Sequence, residues 1–229
     1  MNTSPFLYRR ERGRFQTACA AASALLAAGC LLSGCLSRPN LNKQTFVFGS
    51  PNSTRDATNH SRRVVAIRTL RVAAPFDGRS LVYRTGEFAY RSDPYAEFLV
   101  SPSESLLFPI RNWMRGTGAF EAVIEPGSVR RPNTMAEIAV LQLYGDFRRS
   151  SEPAAFLTVR FVLFDSPNGI PGSLILDRNY SSHIPLKART PGALMAGWNE
   201  GLNQILARLD SDVGGLEAIP AADAQPAGQ

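Results

Sequence analysis

The sequence predicts one α/β domain behind a leader that is removed. Strand-like runs of β-branched and alternating apolar residues recur between turn formers, and two segments space their apolar residues as amphipathic helices do. The 195 residues from Cys35 onward are also enough to fill a single core.

The leader comes first. Arg9, Arg10, Arg12 and Arg14 form a basic N-terminal region, and no residue from Phe15 to Leu32 is charged, which is the pattern of a secretory signal. Leu32-Ser33-Gly34-Cys35 resembles a lipobox. Leu32 fills the apolar subsite, Ser33 and Gly34 keep the cleavage site narrow, and the Cys35 thiol takes the thioether-linked diacylglycerol. Residues 1–34 are therefore read as a lipoprotein signal peptide. Cys30 is the competing modification site, although Ala27 suits the apolar subsite less well than Leu32. An uncleaved anchor is a further reading, since the apolar run is close to the ~18 residues a spanning helix needs. Glu11-Arg12-Gly13 lacks the apolar residues that should follow a twin-arginine pair.

Processing removes four basic residues and one acidic one, which lowers the net charge from +6 to +3. Lys43 and Lys187 are the only lysines, and the arginines are scattered, so no basic run suits a nucleic acid. Cys19 and Cys30 leave with the leader, so no intrachain disulfide is available and Cys35 is the one cysteine remaining.

Residues 35–43 read as a polar tether and 44–213 as the domain. Thr45–Phe48 suggests a short first strand, residues 50–62 an exposed loop, and Val64–Val72 a buried strand. Leu81–Arg84 and Phe88–Tyr90 flank Thr85-Gly86 and predict a hairpin or a bulged ribbon. Ser101, Pro102 and Glu104 make a capping box with proline at the first helical position. The helix they open should bury Leu106, Leu107, Ile110, Trp113 and Met114 and end at Gly116 or Gly118. Pro109 costs a helix interior about 3 kcal/mol, which predicts a kink or an irregular first turn.

Three strands follow. Ala136–Phe147 is expected to set Ala139, Leu141, Leu143 and Phe147 on one face, and Gln142, Tyr144 and Asp146 on the other. Ala155–Phe164 turns Leu157, Val159, Phe161 and Leu163 inward and Thr158 and Arg160 outward, and a third strand runs from about Ser173 to His183. Thr190-Pro191 opens a second helix whose Leu194, Trp198, Leu202, Ile205 and Leu209 form the stripe that packs on the sheet. Residues 214–229 are expected to be a disordered tail.

Catalytic constellations are missing from the pattern. His60 and His183 lie far apart with no carboxylate motif beside them, and no phosphate loop, CxxC pair or nucleophile elbow occurs. No catalytic, cofactor-binding or metal-binding residues are expected, and the protein is read as a non-enzyme. The carboxylates Asp93, Glu97 and Glu104 stand at spacings that chance supplies. The aromatics Phe88, Tyr90, Tyr95 and Phe98 read as core and sheet edge, with a partner- or lipid-contacting surface as the alternative.

Leu81-Val82-Tyr83-Arg84, Tyr90, Ser92–Pro102, Arg111-Asn112-Trp113, Leu143–Phe147 and Gly197-Trp198-Asn199 occur in an order and spacing that resemble the ABC-type transport auxiliary lipoprotein family, the PqiC-like components. The match covers residues 44–210, and Pro109 departs from it. The resemblance implies a mixed β-sheet flanked by helices in an anticodon-binding-like three-layer arrangement. It also implies a non-catalytic docking or ring component, homo-oligomeric, in the periplasm of a Gram-negative cell, and Leu36 after Cys35, where no Asp stands, reads as the default signal for the periplasmic face of the outer membrane. The implied partners are an MCE-domain protein with its permease and ATPase, and the lipid membrane through acylated Cys35. The system would move phospholipids or other apolar molecules across the periplasm. Envelope-complex assembly without lipid contact is the alternative, and a periplasmic enzyme the remoter one. Within the matching stretch, Arg84, Arg91 and Tyr95 are the candidate partner-binding residues, because arginine and tyrosine are enriched at interface hot spots.

Overall fold

The computed structural model describes residues 43–50, 62–125, 127–167, 170 and 172–217. The expected signal peptide, Cys35, the expected tether up to residue 42, residues 51–61 of the expected loop with His60, and the residues from 218 onward lie outside the described residues.

Eight strands form one mixed sheet: β1 (Gln44–Phe46), β2 (Val64–Val72), β3 (Ser80–Arg84), β4 (Tyr90–Phe98), β5 (Ala122–Ile124), β6 (Thr134–Asp146), β7 (Ala154–Asp165) and β8 (Leu174–Pro185). The helices are α1 (Pro102–Gly116) and α2 (Pro191–Glu217). β6 is the trunk. One of its edges pairs antiparallel with β7 along its length. The other edge is shared, its first half by β2 and its last two residues by β3, both parallel. β5 extends the β2 branch, β4 and then β1 extend the β3 branch, and β8 borders β7.

The helix-bearing face is apolar. Leu157, Val159, Phe161 and Leu163 point into it as the alternation predicts. β6 departs from its predicted phase. Ala136, Ile138 and Val140 are buried, and a bulge between Val140 and Gln142 leaves Leu141 unpaired and 38% exposed, after which Leu143 returns inward. The expectation that Ala139 and Leu141 share a face with Leu143 is therefore corrected. One extra residue in a strand inverts every assignment counted back through it.

α1 opens on the predicted capping box: Ser101 Oγ accepts from the Glu104 amide, and the Glu104 carboxylate accepts from the Ser101 amide at 3.3 Å. The first turn is thus regular, and the helix continues through buried Pro109 to Gly116. The chain turns at Gly118, whose φ of 69° suits a residue without a side chain. Leu107 is only half-buried, while Leu106, Ile110, Trp113 and Met114 are buried. α2 buries Leu194, Trp198, Leu202, Ile205 and Leu209 as its spacing predicts. It runs past Gly214 to Glu217, because Asp212 accepts from Arg178 at 2.7 Å and from Tyr180 at 2.5 Å, and Val213 is fully buried. Arg208 on the same helix donates to the carbonyl of Ser181 on β8, a strand whose pairing, among the described residues, is with β7 alone.

Phe48, just after β1, ties the two helices together. Its amide donates to Ser105 Oγ of α1 at 3.0 Å, the next amide donates to Asn199 Oδ1 of α2 at 2.8 Å, and its ring stacks on Trp198. The α/β class and the mixed sheet flanked by helices are as expected. Of the three layers the resemblance implies, the described residues supply sheet and helix, with both helices on one face.

Candidate functional site

The stretch that carries most of the family resemblance builds a wide bulge. Ser80 pairs with Glu97 and Val82 with Ser92, so β3 offers Leu81 alone where β4 has the four residues Asp93–Ala96. Asp93 closes this loop-out. One carboxylate oxygen accepts from the amides of Tyr95 and Ala96 at 2.8 and 3.0 Å, and the other accepts from the Tyr83 hydroxyl at 2.6 Å. Burial, reinforced by the negative carboxylate, pushes the Tyr83 phenol above its ordinary range. The Tyr83 ring stacks on Phe147 at 4.8 Å between centroids and lies against Gly145, where an added Cβ would come within 3.2 Å of both Tyr83 and Leu194.

The other matching segments meet the same core. Phe98 stacks on Phe48 and Trp198, and the Trp198 indole donates to the Phe156 carbonyl at 3.1 Å. At Gly197 an added Cβ would approach Ala155 Cβ to 2.8 Å and Leu186 to 2.6 Å, so glycine is what lets α2 lie directly on β7. Arg111 and Arg115 both reach Glu125, at 3.7 and 2.5 Å. Five of the matching segments, all but Tyr90, thus contribute to one core, the Arg111–Trp113 segment through Trp113.

The three candidate partner residues do not share one surface. Arg84 pairs with Tyr90 and Tyr83 with Arg91, and because cross-strand partners share a face while successive residues alternate, Arg84 and Arg91 face opposite sides. Arg84 is half-buried, donates to the Glu87 carbonyl at 2.7 Å and lies 5.9 Å from the centre of the Tyr90 ring. Arg91 is exposed, and Tyr95 is 52% exposed at the apex of the bulge. Of the aromatic group, Phe98 is core, whereas Phe88 at the hairpin tip is 88% exposed and Tyr90 is also exposed. The carboxylates in this region serve the fold: Asp93 holds the bulge, Glu104 caps α1, and Glu97 accepts from Lys43 at 3.3 Å and Arg79 at 3.0 Å.

On the face opposite α1 and α2 an aromatic row crosses the sheet. Tyr90 meets Tyr144 edge-on at 5.6 Å, Tyr144 stacks on Phe156 at 5.2 Å, and Phe156 stacks on His183 at 4.5 Å. Sequence reading placed Tyr144 and Asp146 on this face but gave no sign that both would be buried. The signal lay in the aromatic residues at matching register on three strands. Beside the row is a cleft of about 380 Å³ lined by Asp146, Arg148, Arg149, Glu152, Ala154, Phe156 and His183. Its arginines are already engaged: Arg148 grips Asp146 in a bidentate pair at 2.6–3.1 Å and holds that carboxyl below the usual range, and Arg149 meets Glu152 at 3.1 Å. Among the described residues no group of three histidine, cysteine or acidic side chains is placed to hold a metal, and no helix is long and apolar enough to cross a membrane.

No family model matches the chain, and no curated protein matches it in sequence. Solved structures do. A crystal structure of a Xanthomonas campestris protein of the family DUF330 superimposes with a TM-score of 0.61 at 17% identity, covering 77% of this chain and 96% of that one. A second, described only as an uncharacterized protein, gives a TM-score of 0.56 at 12% identity over 75% and 99% of the two chains. This chain has the fold of those proteins.

Proposed function

We propose that the protein is a lipid-anchored, non-enzymatic accessory subunit of an MCE-type ABC transport system, held through acylated Cys35 at the periplasmic face of the outer membrane. The observation that carries this reading is the convergence of the family-like segments. Leu81–Arg84, Ser92–Pro102, Leu143–Phe147 and Gly197–Asn199 meet at Tyr83, Asp93, Gly145 and Trp198, inside a fold shared with a DUF330 protein over nearly all of that protein's length. In this chain the segments that carry the PqiC-like resemblance are the ones that build the bulge and the seat of α2. A docking subunit of this kind needs a rigid domain on a membrane attachment more than it needs a catalytic cleft. Three acyl chains, at about 0.8 kcal/mol for each buried methylene, make that attachment effectively permanent.

The test joins anchor and partner. Mass spectrometry of the mature protein should find the acyl mass on an N-terminal Cys35 peptide. Affinity purification of the tagged protein from solubilised membranes should recover an MCE-domain protein, and the Arg84→Ala/Arg91→Ala/Tyr95→Ala variant should recover less of it while keeping its circular dichroism. A Cys35→Ala protein that is still processed and acylated, or a pull-down without any MCE-domain protein, sinks the reading.

A further inference from the structure

The margin of the sheet at β1 and β4 combines exposed aliphatic side chains with two cations. β1 and β4 pair in register through Thr45 with Glu97 and Phe46 with Phe98, and the Leu99 amide donates to the Phe46 carbonyl at 2.8 Å. Phe98 is buried, and the residues that follow the two strands, Val47 and Leu99, turn away from the core and are 52% and 56% exposed. Val100 beside them is also exposed. On the same margin Lys43 and Arg79 share one carboxylate, that of Glu97, which leaves the cluster with a net positive charge.

We propose that this margin, Val47, Leu99 and Val100 flanked by Lys43 and Arg79, is the surface with which the anchored domain rests on an anionic phospholipid layer. The inference rests on Cys35 being the acylated residue. Eight chain steps lead from Cys35 to Lys43, and at no more than ~3.6 Å each they hold Lys43 within about 29 Å of Cys35. β1 is therefore where the chain leading from the anchor enters the domain. The chemistry of the margin suits that place: aliphatic side chains enter the headgroup boundary, while lysine and arginine pair with phosphate. Three aliphatic side chains fall far below the ~1,200 Å² that a stable protein interface buries. They suffice for a domain already tethered to the layer, because the tether supplies the effective concentration.

The mature chain retains Cys35 as its one native cysteine, so a cysteine introduced elsewhere is the single free thiol on the acylated protein. A fluorophore on Leu99→Cys would be compared with one on Asn179→Cys, which lies on β8, five strand spacings or ~24 Å across the sheet from β1. The acylated full-length proteins would be reconstituted into vesicles of phosphatidylglycerol and phosphatidylethanolamine containing a headgroup nitroxide lipid, and into vesicles of phosphatidylcholine with the same quencher. The label at residue 99 should be quenched and the label at residue 179 should not. The quenching should weaken severalfold in the zwitterionic vesicles or with Lys43→Ala/Arg79→Ala, since each basic residue beside an anionic leaflet is worth about fivefold in surface binding. Protein that co-floats with vesicles while the label at residue 99 stays unquenched overturns this proposal and leaves the anchor intact. Protein that does not co-float overturns the anchor reading and this proposal with it. A label at residue 99 that is already shielded in detergent, on a particle of twice the monomer mass, assigns the margin to a second copy of the chain and overturns the lipid contact.

Discussion

Along β6, β7 and β8 the strands pair for nearly their whole length, and the α2 stripe fills the face above them with Leu194, Trp198, Leu202, Ile205 and Leu209. In the corner made by β1, β3 and β4 the pairing is short and broken by a four-residue bulge, and one carboxylate, Asp93, receives two amides and a phenol. The first region is held by apolar area spread over many side chains and the second by a few directional bonds. A region of the first kind loses stability gradually as side chains are trimmed. A region of the second kind depends on single atoms, because a buried donor left without its acceptor costs its full desolvation.

Trp198→Ala tests where the two regions join, and it has the largest expected effect. The indole is 1% exposed, stacks on Phe98 and Phe48 from the corner, and donates to Phe156 from the ribbon. Its loss should cost ~3–5 kcal/mol, read as a much lower urea midpoint. An unmoved midpoint would mean that α2 does not seat as described.

Asp93→Ala comes next, at about 2–3 kcal/mol, since it leaves three donors without their acceptor. The loss should be local. Hydrogen exchange should speed up first at Tyr95 and Ala96 while the amides of β7 stay protected, and uniform loss of protection would erase the distinction between the two regions.

Each region also holds one tyrosine on a carboxylate, Tyr83 on Asp93 and Tyr180 on Asp212, and burial first, then the acidic partner, raises both phenols above their ordinary pKa. The fold therefore favours the neutral phenol. That contribution is complete below pH ~10, the unfolded value, and declines as pH rises toward the folded one. Tyr83→Phe should cost ~1 kcal/mol at neutral pH and flatten part of the fall in urea midpoint between about pH 10 and 11. A variant that keeps the full wild-type slope would remove Tyr83 as its source.

Arg91→Ala and Tyr95→Ala should have the smallest effect on stability, within about 0.5 kcal/mol each, because both side chains are exposed. A larger loss would make the apex of the bulge part of the fold's support rather than a surface free for a partner.

The ribbon and α2 were legible because periodicity reports burial directly: the helical stripe and the inward residues of β7 are observed as read, whereas Thr158, expected outward beside Arg160, is buried against Gln142 and Ser181. The β6 phase failed at Leu141 because a bulge leaves no mark in an apolar run. β5, three residues long, carried too little pattern to be seen. The corner was legible only as a resemblance. Nothing in the order Ser92-Asp93-Pro94-Tyr95 states that Asp93 turns back to three donors, one of them on the neighbouring strand. For the same reason Arg84, Arg91 and Tyr95 looked like one cluster in sequence, yet the alternation of the strands sends the two arginines to opposite faces.

The outer edge of β8 bears on the protein's behaviour at high concentration. Among the described residues this twelve-residue strand is paired on one flank only, and an unpaired flank is a template for strand addition and hence for aggregation. Here Arg208 from α2 occupies the Ser181 carbonyl, Asp177 and Arg178 add charges of both signs, and Pro185, which lacks an amide donor, closes the strand. An incoming strand would have to displace a guanidinium and bury charge before gaining its first hydrogen bonds. Under the anchored reading proposed above, the same guard would oppose strand addition between copies crowded in the plane of a membrane.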